Sequence, residues 1–246
     1  MFSAIAYRYD LLNHLLSLNI DKLWRRKAVA RLAGIFSHRD VRCLDLCCGT
    51  GDLALTMIRG GINQVVACDF SHPMLQLSHK KVSKANMSGR IHIVEADGLR
   101  LPFQSQFFDA VAIAFGLRNL ESVRDGLLEM YRVLKPGGQL VVLEFSKPTN
   151  VIFDKIFQFY FFRILPQIGS ALSKHDHAYS YLPRSVSQFP DQKELTLIMS
   201  HCGFEKVSYV NLSGGIAAIH SGEKRLSQQD RMNAAGRANF PATRAG

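Results

Sequence analysis

The sequence predicts an α/β fold: a mostly parallel sheet with helices on both faces and an antiparallel hairpin at its C-terminal edge. Between Val41 and Ser146, short apolar runs alternate with longer amphipathic ones, the mark of β-α units on a parallel sheet. After Pro190 the order changes to one helix and two strands meeting at Gly214-Gly215, the mark of a closing hairpin. The 246 residues, 47% apolar and 20% charged, suffice for one domain with a large core and exclude disorder of the whole chain.

Five strands are expected in the first region, at Val41–Leu46, Gln64–Asp69, Ile91–Glu95, Phe108–Phe115 and Gln139–Phe145. Between them fall helices at Gly51–Ile58, Ser71–Ser83 and Val123–Leu134, the second opened by Ser71 as N-cap with Pro73 in its first turn. Lys135-Pro136-Gly137-Gly138 ends the third helix, because proline cannot continue a helix and glycine accepts positive φ. A helix at Lys193–Cys202 and strands at Phe204–Leu212 and Ile216–His220 complete the set.

Composition narrows the function classes. The net charge is +10, but seven basic and three acidic groups lie in 1–40, twelve and ten in 41–148, and eleven and seven in 149–246, so the excess sits outside the central segment. No uncharged apolar stretch reaches the roughly 18 residues of a membrane span, and no secretory signal opens the chain, so a soluble cytoplasmic protein is expected. Five clustered cysteines, odd in number and without Cys-x-x-Cys spacing, argue against a disulfide framework and against a structural zinc site; no metal is expected.

The first strand runs into Asp45-Leu46-Cys47-Cys48-Gly49-Thr50-Gly51-Asp52, a small-residue turn that brings backbone amides to a ligand at a helix N-terminus. By spacing, Gly49 to Ala54 fits a dinucleotide turn, with Asp69 20 residues after Gly49. Against a pyrophosphate stand two further acids, Asp45 and Asp97, at ends of neighbouring strands. A cationic cofactor suits them: S-adenosylmethionine carries a sulfonium and an ammonium for acids, and a carboxylate for backbone amides. The pattern resembles the class I S-adenosylmethionine-dependent methyltransferases, with Cys47 standing where the first glycine is usual. That resemblance implies a seven-stranded Rossmann-like sheet and a cofactor site of Asp45, Gly49, Thr50, Gly51, Asp69, Asp97, Gly98 and Ala114. Asp69 would take the ribose hydroxyls, and Asp97-Gly98 would meet the adenine edge.

The flanks sharpen the resemblance. Tyr9-Asp10-Leu11-Leu12-Asn13 with Ser17 and Trp24, then Phe115-Gly116-Leu117-Arg118-Asn119, Arg132 to Gly138, Leu143 to Ser146, Leu165-Pro166, Tyr179 to Val186 and Phe189-Pro190 are similar to the quinone-ring C-methyltransferase family. Its members methylate demethylmenaquinol and 2-methoxy-6-polyprenyl-benzoquinol. Leu12, Asp21 and Ala114 depart from the family's usual Met, His and Ser. Relatives have residues ahead of Met1, so a late-placed start or a short N-terminus is expected. The implied layout is one domain over 1–222: a helical lid (1–40), the cofactor core (41–148), a substrate cap (149–190), and a closing helix and hairpin (191–222). A disordered tail (223–246) follows.

Carbon methylation needs an electron-rich ring, so the expected acceptor is a reduced lipid quinol, demethylmenaquinol first, with the benzoquinol as the alternative. The expected catalytic residues are Arg118, to stabilise a phenolate, Asn119, to orient the second ring oxygen, and Tyr9 or Asp10, to relay a proton. Asn13, Phe115, His177 and Tyr181 are the expected substrate contacts. Aromatic residues crowd Ile152 to Ile168, which points to a substrate tunnel, to transient contact with an anionic membrane, or to a homodimer face. A nucleic-acid methyltransferase is disfavoured because Phe115-Gly116-Leu117-Arg118 stands where a Pro-Pro-aromatic or Pro-Cys loop belongs. A nicotinamide reductase is disfavoured because nothing in the chain resembles its catalytic residues. A non-catalytic assembly partner would bind the cofactor without transferring a methyl group.

Overall fold

A computed structural model describes residues 19–32, 41–150, 155 and 184–226. In chain order these hold α1 (Ile20–Ala30), β1 (Arg42–Leu46), α2 (Asp52–Arg59), β2 (Gln64–Asp69), α3 (His72–Lys84) and β3 (Ile91–Glu95). After them come β4 (Phe108–Ala114), α4 (Val123–Val133), β5 (Leu134–Phe145), α5 (Gln192–His201), β6 (Phe204–Leu212) and β7 (Ala217–Lys224). One seven-stranded sheet runs β3-β2-β1-β4-β5-β7-β6. β1 to β5 pair in parallel, while β7 is antiparallel to both β5 and β6. The expected fold class is the observed one.

Side chains alternate across the pleat and divide the core. Cys43, Val65, Ala67, Ala112, Val141 and Leu143 pack with α1, α2 and α3. Leu44, Leu46, Ile113, Leu140 and Val142 pack with α4 and α5 through Leu127, Met130, Leu195 and Met199. Each such fully buried large side chain stabilises the fold by about 1.5–3 kcal/mol. Burial on both faces explains why these strands read as continuous apolar runs.

The largest differences from the expected boundaries have tertiary reasons. Helix α4 stops at Val133, and pairing starts at once as Phe108 meets Leu134; the register then jumps to Ala110 opposite Gln139, so Lys135 to Gly138 form a bulge within β5. The last strand reaches Lys224, beyond the expected His220, because it is held by β5 on one side and β6 on the other. Lys224 Nζ donates to the Tyr131 and Leu134 carbonyls and satisfies the C-terminal end of α4. Ser71 does sit at the N-cap of α3, but its hydroxyl makes no capping bond; its own N–H is taken by Asp69 Oδ1 at 2.9 Å.

The chain leaves β1 for β2 and β3 on one side and returns to β4 on the other. The carboxyl ends of β1 and β4 therefore border the crevice where open α/β sheets bind ligands. Among the described residues, no helix is long and apolar enough to cross a membrane.

Candidate active site

At the end of β1 the chain turns through Cys47 (φ 54°), Gly49 (φ 54°) and Gly51 (φ 85°) before α2 starts. Gly51 is required twice: its φ is left-handed, and a Cβ there would lie 2.5 Å from Ser78 Oγ on α3. Lys81, also on α3, ties the turn down, its Nζ donating to Thr50 Oγ1 at 2.8 Å and Asp52 Oδ1 at 2.7 Å. Asp45 is 1% exposed, and its Oδ2 accepts the Ala54 N–H at 2.8 Å, inside the first turn of α2. Burial pushes its carboxyl up to about 8.

Above this turn opens a cleft of about 320 Å³, lined by Gly49, Asp69, Asp97, Gly98, Phe115 and Asn119 among others. Asp69 Oδ2 accepts the Gly49 N–H at 2.8 Å, which locks the ends of β1 and β2 together and leaves lone pairs toward the cleft. Burial raises its pKa above the ordinary carboxylate value. Asp97 accepts the Leu99 N–H at 2.9 Å. With Glu121 these give the cleft three carboxylates, a wall that suits a cation and disfavours a pyrophosphate. Met74 and Leu99, with Phe70 at 78% exposure, supply apolar surface for a flat ring.

The expected cofactor residues divide. Gly49, Asp69, Asp97 and Gly98 line the cleft, while Asp45, Thr50, Gly51 and Ala114 do not. Asp45 caps α2 instead, and Thr50 and Gly51 shape the turn from behind. Cys47 of the motif turn also lines the cleft, as do Phe70, Ser71, Met74 and Glu121, to which the sequence motifs did not point. The signal that could have found Phe70 is its place directly after the acid that ends β2.

Arg118 and Asn119 lie on a single 3-10 turn, Leu117–Asn119, at the end of β4. Asn119 lines the cleft. Arg118 points elsewhere: its side chain is 5% exposed, and Nη1 donates to Glu144 Oε1 at 2.6 Å and to the Phe115 carbonyl at 2.7 Å. Glu144, 2% exposed, also accepts the Phe145 N–H at 2.8 Å. Arg118, expected to stabilise a phenolate, thus has its charge already matched by a buried carboxylate. Arg118 Nε is buried without a partner. The pair also fixes Phe115 in its left-handed conformation (φ 58°). The Phe115 ring packs against Phe145, with centroids 4.8 Å apart, and against Trp24 of α1 at 6.1 Å. Tyr9, Asp10, Asn13, His177 and Tyr181 lie outside the described residues. Among the described residues, no group of three or more His, Cys, Asp or Glu side chains is placed to hold a metal ion.

Residues 1–224 match the ubiE/COQ5 methyltransferase family. The chain is 45% identical over 228 residues to the ubiquinone/menaquinone biosynthesis C-methyltransferase UbiE of Geobacter sulfurreducens, covering 92% of this chain and 88% of the relative. It is 42% identical over 226 residues to that of Stutzerimonas stutzeri, covering 91% and 87%. Among solved structures it resembles an S-adenosylmethionine-dependent methyltransferase of Thermotoga maritima, with a TM-score of 0.63 at 17% identity over 91% of this chain and 98% of that one. At that identity the likeness carries the fold alone.

Proposed function

Since the chain belongs to the ubiE/COQ5 methyltransferase family, we propose that it methylates a ring carbon of a reduced polyprenyl quinone precursor, with demethylmenaquinol as the acceptor. It is an S-adenosylmethionine-dependent C-methyltransferase of ubiquinone or menaquinone biosynthesis; the naphthoquinol in particular is the proposed step. The observation that carries the quinone C-methyltransferase reading, common to both rings, is the family match, which runs through the acidic cleft and the Arg118-Asn119 turn.

The cleft fits the cofactor. Asp69 can hold the ribose hydroxyls, Asp97 and Gly98 the adenine edge, and the Gly49 turn the carboxylate end. Bound there, S-adenosylmethionine supplies an electrophilic methyl group. The chain's own tasks are to orient the acceptor ring, favour its phenolate and exclude water. Asn119, on the cleft wall, orients a ring oxygen. Arg118 acts through position, holding Phe115 against the cleft. Trp24, Phe115 and Phe145 form an aromatic wall that keeps water from the reacting ring. Tyr9 or Asp10 relays the hydroxyl proton, and Asn13, His177 and Tyr181 contact the substrate. These roles rest on the family likeness of their segments. Transient contact with an anionic membrane surface delivers the lipid acceptor.

The test is initial-rate transfer of labelled methyl to demethylmenaquinol and to 2-methoxy-6-polyprenyl-benzoquinol in detergent, each reduced and oxidised. Transfer to the reduced naphthoquinol alone is expected. Transfer to the benzoquinol alone would move the activity to the other pathway, and transfer to an oxidised quinone would overturn the quinol chemistry.

A further inference from the structure

We infer that the outward face of α1 docks the protein on an anionic lipid surface and so brings the cofactor cleft to a membrane-borne acceptor. At 3.6 residues per turn, Lys22, Arg26, Leu23, Lys27, Ile20 and Arg31 fall within about 180° of the helix circumference, and all are exposed. Trp24, Ala28, Val29 and Leu32 occupy the other half and are buried in the core.

The outward face carries one sign of charge. Asp21, the acid of α1, is buried and paired with Arg25, and Asp52, the acid of α2, is tied to Lys81. Lys22, Arg26, Lys27 and Arg31 therefore meet solvent with no exposed acid on their own helix or on α2 beside it. Arg59 extends the patch, because the adjoining Gly60 abuts α1 so closely that a Cβ there would lie 2.8 Å from Val29 Cγ1. Among these cations stand two apolar side chains, Leu23 at 50% exposure and Ile20 at 39%.

Phosphates of a nucleic acid and of a bilayer would both answer the charge, and Leu23 decides between them. A nucleic acid would leave it in water, and no aromatic side chain stands on this face to stack a base. A headgroup layer takes in Leu23 and Ile20, while the lysine and arginine stems extend past them to the phosphates. Position ties the face to the site. Trp24, on the buried half, lies 6.1 Å from Phe115 of the cleft wall and donates from Nε1 to Ser213 Oγ at 3.2 Å, which fixes the helix to the β6–β7 turn. A bilayer against the outward face thus lies about one helix diameter (10–12 Å) from that wall.

This inference rests on the proposed lipid acceptor and is tested so that the two fail separately. The full-length protein is floated with phosphatidylcholine vesicles, with or without phosphatidylglycerol, at low and high salt and with duplex RNA as competitor. Binding is expected with phosphatidylglycerol, weakened by salt, about tenfold or more by Arg26→Gln/Lys27→Gln and about threefold by Leu23→Gln, with melting temperatures unchanged. Arg124→Gln/Lys193→Gln removes the same charge from α4 and α5, on the opposite face of the sheet, and should weaken it by less than about twofold. Equal binding to neutral vesicles, equal losses from the two double variants, no loss from Leu23→Gln, or release by RNA would overturn it. In transfer assays, Arg26→Gln/Lys27→Gln should slow methylation of a long-tailed quinol in anionic vesicles and leave that of a short-tailed quinol in solution unchanged. An active wild type whose vesicle binding ignores α1 sinks this surface and spares the proposed function. A wild type that docks through α1 and methylates no quinol does the reverse.

Discussion

The Cβ of Cys47 packs so closely on Gly116 that a methyl on Gly116 would lie 2.4 Å from it and 3.2 Å from the sulfur. The glycine-rich turn after β1 and the loop after β4 therefore meet without a spacer, and the residue with a side chain is the one standing where a glycine is usual. Gly116→Ala should destabilise the protein by about 1–3 kcal/mol through overpacking. In the Cys47→Gly background the same change should cost at least about 0.5 kcal/mol less. Urea midpoints of the four proteins in this cycle measure the coupling; strict additivity would show that the contact is not felt.

The Arg118–Glu144 pair predicts a large penalty for losing one partner. Glu144→Gln leaves a buried guanidinium without its counter-charge and should cost about 3–5 kcal/mol in urea unfolding. Arg118→Lys should not restore function, because one ammonium cannot serve Glu144 and the Phe115 carbonyl in the same fork. A Glu144→Gln variant within about 0.5 kcal/mol of wild type would contradict the placement.

Two buried groups give stability opposite pH slopes. Asp45 titrates near 8 in the folded chain against an ordinary 3.8, so between these values the folded chain keeps a proton that the unfolded chain has released. Its contribution falls as pH rises from about 4 to about 8. Asp45→Asn, which keeps an acceptor for the Ala54 N–H, should flatten this slope and match or exceed wild type at pH 8. His220 does the reverse. Its Nε2 donates to the Gln192 carbonyl at 2.9 Å, its Nδ1 is buried without a partner, and burial lowers its pKa from 6.5. The unfolded chain takes up the proton first, so stability drops as pH falls below about 6.5. Melting temperatures from pH 4.5 to 8.5 for wild type, Asp45→Asn and His220→Phe separate the two.

Cofactor affinity should depend on Asp69 more than on Asp45. Asp69 lines the cleft and bonds Gly49, whereas Asp45 faces α2. Asp69→Asn should weaken S-adenosylmethionine binding by about tenfold to hundredfold in calorimetry, the range for a charge-assisted hydrogen bond. Asp45→Asn should change it less than threefold, or roughly 0.6 kcal/mol. Equal losses would restore Asp45 to the cofactor.

Much of the fold is legible in the sequence. Gln64–Asp69, Ile91–Glu95 and Phe204–Leu212 are strands at the expected boundaries, because an apolar run bounded by turn residues is read locally. Of the acids at strand ends, Asp69 and Asp97 line the cleft as their spacing implied. Asp45 could not be told from them, since its burial depends on α2 folding back over the end of β1. The pairing of Arg118 with Glu144 joins two strand ends 26 residues apart, and no local pattern encodes it. Nor could the spacing show that Cys47 fits because Gly116 faces it across the sheet. The capping box Asp191-Glu194 is a local start signal for α5, and it begins that helix one residue before the expected Lys193.

The destination of the methyl group tests the proposed chemistry most directly. Anaerobic incubation of the full-length chain with ¹³C-methyl S-adenosylmethionine and reduced demethylmenaquinol, followed by NMR of the extracted product, should place the label on ring carbon. Label on a ring oxygen, or none on a quinol that the protein binds, would contradict it.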